Sequence, residues 1–421
     1  MKKKLDFVDL KYKPDNTDLV CLFKIVPNKI SLEKAANTVA LESSVGTWTN
    51  VERGKEDYVE KIKARVFSIK KDGWIKIAYP QELFEQDNVP NILSSVAGNI
   101  FGMKAVKTIR LEDVRFPEGI LKSFKGPKYG IDGVRNLLKI KNRPLVGTII
   151  KPKLGLNTKH HAESAYESWK GGCDIVKDDE NLSSQKFNIF ENRLAKTLEM
   201  ADKAESETGE KKGYLVNVTA ETKEMMKRAQ LTEKMGGKYV MIDILTSGWA
   251  AVQTLREANF KLAIHAHRAM HAALDRNSEH GINMMVIADF ARLIGVDQIH
   301  IGTGIGKLEG DIKNIIQIKE DIVRMKVRET KKRLQQNWMN IKPVMPVSSG
   351  GLHPGHIPFL IKHLGRDLII QAGGGVHGHP FGTEAGARAM RQAVDAVLKK
   401  KSLGEYAKTH VELEEALKKW N

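Results

Sequence analysis

The sequence predicts an α/β protein, with a smaller N-terminal α+β domain of ferredoxin-like order followed by a C-terminal (β/α)8 TIM barrel. Three observations predict it. The chain has 421 residues, too many for one ordinary domain and enough for a barrel plus something smaller. Eight short apolar runs recur through its later part, most of them separated by segments of helical period. Ahead of them, strands and helices read in the order βαββαβ, which suits an antiparallel sheet covered by helices.

The elements follow in order. Residues 18–27 (DLVCLFKIVP) form a strand candidate, and Ser31 is an N-cap for a helix through about Ser43. Residues 63–70 and 74–80 are strands around the hairpin turn Lys71-Asp72-Gly73. A helix near 91–96 and a strand near 105–111 complete the small domain. Phe116-Pro117 and Lys125-Gly126-Pro127 read as the linker, giving domains of 1–126 and 127–421. The barrel runs fall at 145–150, 174–176, 214–218, 239–244, 261–266, 298–301, 344–348 and 368–371. Helical period marks Ala162 to Lys170 and Ile312 to Gln335. An open doubly wound sheet is the rival topology, but eight evenly spaced units favour closure.

Composition narrows the class. The chain is 41% hydrophobic with a net charge of +17, which invites a polyanion as partner. Aromatic residues make up only 6%, and no basic stripe interleaved with aromatics is present, so a nucleic-acid partner is not expected. Two cysteines, Cys21 and Cys173, cannot build a disulfide framework or a CxxC zinc site. The start turns polar too early for a signal peptide, no apolar run reaches the length of a membrane span, and a cytoplasmic location is expected.

In barrels of this kind, chemistry gathers where strands end and βα-loops begin. Those ends here carry Lys151 and Lys153, then Lys177, Asp178, Asp179 and Glu180, Asn217 and Thr219, Asp243, His265, His267, Arg268 and His271, His300, Ser348 and Ser349, and Gly373 to Gly375. Any one of these is commonly a cap or a turn; the set together points to a site. Strand period puts Lys177 and Asp179 on one face, with Glu180 just beyond. Two neighbouring carboxylates make an oxygen site for a hard cation, and Mg²⁺ fits best. A lysine there would repel the metal unless its amine is neutralised or converted into an anion. Ser349-Gly350-Gly351 and Gly373-Gly374-Gly375 offer backbone N–H groups to phosphate after strands seven and eight. Arg268 and His300 could serve a second anion, and Gly302-Thr303-Gly304-Ile305-Gly306-Lys307 reads as a lid with glycine hinges.

These residues carry a family resemblance over nearly the whole chain. Glu42-Ser43-Ser44-Val45-Gly46-Thr47-Trp48, Gly98-Asn99 with Phe101-Gly102, Leu111-Glu112-Asp113, Lys151-Pro152-Lys153-Leu154-Gly155 and Gly171-Gly172-Cys173-Asp174 occur in order. Lys177-Asp178-Asp179-Glu180, His267-Arg268-Ala269-Met270-His271, Gly306-Lys307-Leu308-Glu309-Gly310 and the two glycine loops follow. The chain resembles the large chain of ribulose-1,5-bisphosphate carboxylase/oxygenase (RuBisCO), most of all the archaeal form III. The resemblance implies carboxylation of ribulose 1,5-bisphosphate to two 3-phosphoglycerates through a Mg-bound enediolate, with O2 competing with CO2. It implies that an activating CO2 carbamylates Lys177, that the carbamate, Asp179 and Glu180 hold Mg²⁺, and that the carbamate takes the C3 proton. Lys151 would protonate the product carbanion, Lys153 would support the metal side, His267 would assist proton transfer at C3, and Lys307 would close over the new carboxylate. One phosphate would meet Thr47, Trp48, Gly351, Gly373 and Gly374, the other Arg268 and His300, with Ser349 beside Gly350 on a sugar hydroxyl.

Glu42, Thr47, Trp48 and Asn99 would complete the barrel site of a neighbouring subunit, so the resemblance implies a homodimer or a ring of dimers without small subunits. Ile149 stands where plant members have threonine, and the lid reads Thr303-Gly304-Ile305-Gly306, with an extra glycine. The stretch beyond Lys401 is short, so a tail that latches the lid is not expected. The nearest enzymatic rival is a RuBisCO-like enolase or isomerase acting on a related phosphosugar. Such relatives lose CO2-handling residues, whereas Lys151, Lys177, Asn99, His267 and Lys307 are all present.

Overall fold

The structure, a computed structural model, describes residues 6–47, 49, 57–306 and 311–420. In chain order its strands are β1 (Asp18–Pro27), β2 (Arg65–Ile69), β3 (Trp74–Pro80), β4 (Val106–Arg115), β5 (Leu145–Ile149), β6 (Ile175–Lys177), β7 (Gly213–Asn217) and β8 (Tyr239–Asp243). Then come β9 (Ala263–His267), β10 (Gly281–Ile282), β11 (Gln298–His300), β12 (Lys326–Val327), β13 (Gln336–Asn337), β14 (Met345–Ser349) and β15 (Ile369–Gln371). They divide between two compact units.

The first unit holds a sheet of order β10-β4-β1-β3-β2. β1 lies at its centre, antiparallel to both β3 and β4. Alternation gives β1 two buried faces: Val20 and Leu22 cluster with Trp74, Ala78 and Leu334, while Leu19, Cys21 and Phe23 point the other way and are equally buried. Helix Leu32–Glu42 buries Ala35, Ala36, Val39 and Ala40, and its Ser31 cap accepts from Lys34 N as the sequence predicts. The hairpin turn at Lys71-Asp72-Gly73 is present, with Gly73 at φ +88°.

This unit is not continuous in sequence. Residues 270–295 and 324–341 group with 1–126, which differs from an uninterrupted barrel domain of 127–421. Specific pairing is the reason. β10 adds in parallel to β4, Arg110 ties to Asp275 at 2.5 Å, and Asn283 donates to Glu112 at 2.7 Å. In the later segment, Leu334 joins the sheet core, its N–H donates to Asp113, and Gln336 accepts from Phe116 N at 2.8 Å. The helical period expected over 312–335 accordingly stops early: the helix is Ile312–Val323, and β12 and β13 pair beyond it.

In the second unit, eight strands close a barrel in the order β11-β14-β15-β5-β6-β7-β8-β9, parallel at every pair. The strand starts form one apolar layer of Leu145, Ile175, Leu215, Tyr239, Ala263, Met345 and Ile369. Helix Gly130–Leu138 presses Ile131, Val134 and Leu138 into that layer and so fills the N-terminal mouth. Buried Asp297 fixes its entry by accepting from Tyr129 N at 2.6 Å and Gly130 N at 2.9 Å. With one mouth filled, polar chemistry is left to the opposite end of the strands. No helix among the described residues is long and apolar enough to cross a membrane.

Candidate active site

β6 positions the central group. Its last residue, Lys177, is buried with 1% of its surface exposed, and its Nζ donates to Asp178 O at 2.8 Å. Glu180 Oε2 lies 3.5 Å from that amine, and Met241 Sδ at 3.1 Å packs against it. Burial disfavours the ammonium and draws the Lys177 pKa below its ordinary value, although Glu180, Asp179 and Asp243 pull the other way. Burial alone would raise Glu180, but Lys177 and His267 outweigh it and hold that carboxyl at about 2.

Successive side chains of a strand point to opposite sides, and the stretch uses this alternation fully. Asp178 turns away from the site: it accepts from Arg193 Nε at 3.1 Å, Tyr214 Oη at 2.6 Å and Asn217 N at 3.0 Å. Burial opposes ionisation there, yet Arg193 and the other donors keep the carboxyl well below the usual range. Asp179 turns inward and accepts from Lys151 Nζ at 2.6 Å. Asn217 Nδ2 shapes the loop that follows by donating to Glu180 O at 3.2 Å and Leu182 O at 3.0 Å. Lys153 donates to Asn181 Oδ1 at 2.9 Å on the outer side of the same loop.

β8 and β9 supply the next pair: Asp243 Oδ1 stands 2.7 Å from His267 Nδ1, which turns Nε2 toward Glu180 Oε2 at 3.6 Å. His267 packs edge-on against His300, their ring centroids 4.8 Å apart. Arg268 follows His267, and its guanidinium lies close beside Gly302 at the start of the lid sequence. The glycine loops close the ring. Gly373 sits against the Lys151 side chain, where a Cβ would stand 2.9 Å from Cε. Gly375 sits against the Ser349-Gly350-Gly351 loop, where a Cβ would stand 2.2 Å from Leu352 O.

Lys151, Lys153, Lys177, Asp179, Glu180, His267, Arg268, His300, Ser349, Gly350, Gly351, Gly373 and Gly374 thus gather at the C-terminal ends of the barrel strands. Glu42, Thr47 and Asn99 belong to the other unit, where Asn99 Nδ2 donates to Glu42 Oε1 at 3.3 Å. Trp48 and Lys307 lie outside the described residues. In this arrangement the ring nitrogens of His300 face protein groups, Nε2 toward His265 at 2.8 Å and Nδ1 toward Ser349 Oγ at 2.7 Å. Sequence reasoning noticed His265, Asp243 and Asn217 as strand-end groups without assigning them work. It missed Gln298 and Met241, whose only signal is a polar or sulfur-bearing side chain at an inward position of a buried strand.

Comparison with known proteins agrees along the whole chain. Residues 130–420 match the family described as ribulose bisphosphate carboxylase large chain, catalytic domain, and residues 6–120 match the N-terminal domain of the same large chain. The ribulose bisphosphate carboxylase of Methanocaldococcus jannaschii is 54% identical over 99% of this chain and 100% of that protein. The Methanosarcina mazei enzyme of the same name is 51% identical over 99% of each. Among solved structures, a dimeric archaeal Rubisco from Hyperthermus butylicus superimposes with a TM-score of 0.93 at 48% identity, covering 98% of both chains. An octameric Rubisco from Pyrococcus horikoshii OT3, in complex with sulfate ion, gives 0.92 at 47%, covering 98% of this chain and 96% of that one. With both domains matched, half of all positions shared and the inward charged groups at the strand ends, the chain belongs to the ribulose bisphosphate carboxylase large-chain family of enzymes.

Proposed function

We propose that this protein adds CO2 and water to D-ribulose 1,5-bisphosphate, giving two 3-phosphoglycerates, with O2 as the competing co-substrate. The observation that carries the reading is the buried Lys177 amine, drawn down by desolvation and set between Glu180 and the inward face that holds Asp179. An unprotonated amine can attack CO2 and lose a proton to become a carbamate, which replaces a repelling cation with a third oxygen donor. The donor set then fits a hard dication. Mg²⁺ held by Asp179, Glu180 and the Lys177 carbamate would supply Lewis-acid polarisation of adjacent sugar oxygens and a template for them.

The chain's own groups supply the rest. Lys151, held on Asp179 at the mouth of β5, is placed to deliver a proton to the product carbanion. Asp243 orients His267 so that Nε2 faces the site and can move a proton at C3. Ser349 meets a sugar hydroxyl, Arg268 and His300 meet one phosphate, and backbone N–H groups at Gly351, Gly373 and Gly374 take the other. Lys307 covers the new carboxylate. The minimum unit is a homodimer in which Glu42, Thr47, Trp48 and Asn99 of each subunit complete the other's barrel, a reading supported by the dimeric and octameric assemblies of the similar structures.

The test is an anaerobic assay with labelled CO2 after preincubation with Mg²⁺ and CO2. Labelled 3-phosphoglycerate is expected, and it should fall to background when the metal is chelated. Its absence from the preincubated enzyme overturns the reading. A light-scattering mass of a dimer or a multiple of it is expected; a monomer at assay concentration overturns the shared site.

A further inference from the structure

The loops assigned to one phosphate, Ser349-Gly350-Gly351 and Gly373-Gly374-Gly375, carry little side chain of their own. Glycine leaves their backbone free to turn, with Gly350 at φ +127° and Gly351 at φ +69°. A backbone N–H serves an anion well only where its direction is already held. β14 and β15 pair in parallel as far as Ser349 and Gln371, so the two loops leave the barrel side by side. They then pack backbone to backbone: a Cβ on Gly375 would stand 2.2 Å from Leu352 O and 2.9 Å from His353 Cα.

Behind that contact lies the helix Val411–Trp420. Trp420 lies nearly parallel to the His353 ring, with centroids 5.8 Å apart and planes at 23°. Its indole also reaches His379, at 6.4 Å between centroids, and passes beside Gly378, where a Cβ would stand 3.8 Å from Cζ2. Lys419 Nζ donates to Gly378 O, and His379 Nε2 donates to Glu412 O at 2.8 Å. The helix is anchored in turn. Leu413 and Ala416 are buried, Leu413 N donates to Gln392 Oε1 at 3.0 Å, and Gln392 Nε2 donates to Glu412 Oε2 at 2.8 Å. One ring thus bears on the residues that follow both loops: His353 after the first, Gly378 and His379 after the second. An indole is wide and stiff, so it transmits position at little cost in entropy.

We propose that Trp420, assisted by Lys419, is a positioning residue that holds the two glycine loops in register, so that the N–H groups of Gly351, Gly373 and Gly374 converge on one phosphate of the bisphosphate. The identity of the anion rests on the functional reading above; the clamp on the loops does not.

Two measurements test this. Hydrogen exchange, followed by mass spectrometry on the protein without substrate, should quicken over residues 349–356 and 372–379 in Trp420→Ala, and stay unchanged over 177–183. KM for ribulose 1,5-bisphosphate should rise about 3- to 10-fold, the span of one backbone hydrogen bond put out of line, while kcat and KM for CO2 change less. Trp420→Phe keeps a flat ring on His353 and should recover most of both. His353→Ala should raise KM by about the same factor as Trp420→Ala, and the double variant no further. Lys419→Met removes only the donor to Gly378 O, and a smaller rise is expected. If Trp420→Ala does not fold, His353→Ala and Lys419→Met carry the same comparison. Unchanged exchange over both segments, an unchanged bisphosphate KM, or a double variant whose rise is the product of the two single ones overturns the proposal. An absence of carboxylation in the wild-type enzyme, with exchange altered as expected, would instead count against the functional reading, since exchange is recorded without substrate.

Discussion

Replacing Asp178 with asparagine separates the two faces of the Lys177–Glu180 stretch. The Asp178 carboxylate is fully buried and accepts from Arg193, Tyr214 and the Asn217 backbone. Asparagine keeps the shape but removes the charge and puts an amide where an acceptor stood. Arg193, itself 0% exposed, keeps its bonds to Asn188 O and Ser183 O but loses its counter-charge. Breaking one side of such a buried pair costs about 3–5 kcal/mol. With an unfolding entropy of about 2.1 cal/mol/K per residue, a chain of this length has about 0.9 kcal/mol/K, so about 4 kcal/mol lowers Tm by roughly 4–5 °C. Calorimetry of Asp178→Asn beside Asp179→Asn reads the contrast. Asp179 is itself 1% exposed, but its partner Lys151 is 35% exposed and can turn its amine to water once the carboxylate is gone, so this loss should lower Tm by less than that of Asp178 while abolishing carboxylation. An Asp178→Asn protein as stable as wild type, or an Asp179→Asn protein that melts as early as Asp178→Asn, refutes the assignment of faces.

Further outcomes follow from other groups. His377 is drawn down to about 4, chiefly by burial and then by Lys151, while its nitrogens face Thr148, Thr383 and Ser164. A depressed folded pKa means that the unfolded chain binds the proton first. Stability should therefore fall as pH drops from about 6.5 to about 4, by about 3 kcal/mol in all, and urea titrations of His377→Gln should lose that slope. Gly375→Ala places a Cβ against Leu352 O and should push the Ser349-Gly350-Gly351 loop outward; bisphosphate KM should rise at least several-fold, and an unchanged KM would show that the loop yields freely. Lys177→Ala should abolish activity at any CO2 or Mg²⁺ concentration, measured by fixation of labelled CO2. Lys307→Ala should abolish carboxylation but retain exchange of the C3 hydrogen with solvent; normal carboxylation would remove Lys307 from the lid role.

Much of the site was readable because the physics behind it is local. Alternation along a strand puts Lys177 and Asp179 on one face from the sequence alone, and the structure adds the reason that Asp178 turns outward, which is Arg193 on the following helix. The Ser31 cap and the hairpin at Gly73 were equally local and stand where the pattern put them. The helix expected to continue to Gln335 stops at Val323 because Leu334 and Gln336 find partners in a sheet more than two hundred positions earlier, a competition that periodicity cannot register.

The sequence by itself determined the eight-unit barrel, the small α+β domain before it and the cluster of charges at the strand ends, since apolar period and strand-end position are properties of neighbouring residues. Only the tertiary structure decided that residues 270–295 and 324–341 join the first unit, that Lys151 settles on Asp179, and that His300 turns its ring nitrogens toward His265 and Ser349. Those pairings join residues distant in sequence, and barrel closure with its strand register brings them within hydrogen-bond reach. Burial in the same interior then sets the protons of Lys177, His265 and His300, because the cost of carrying charge depends on what surrounds a group and not on its place in the chain.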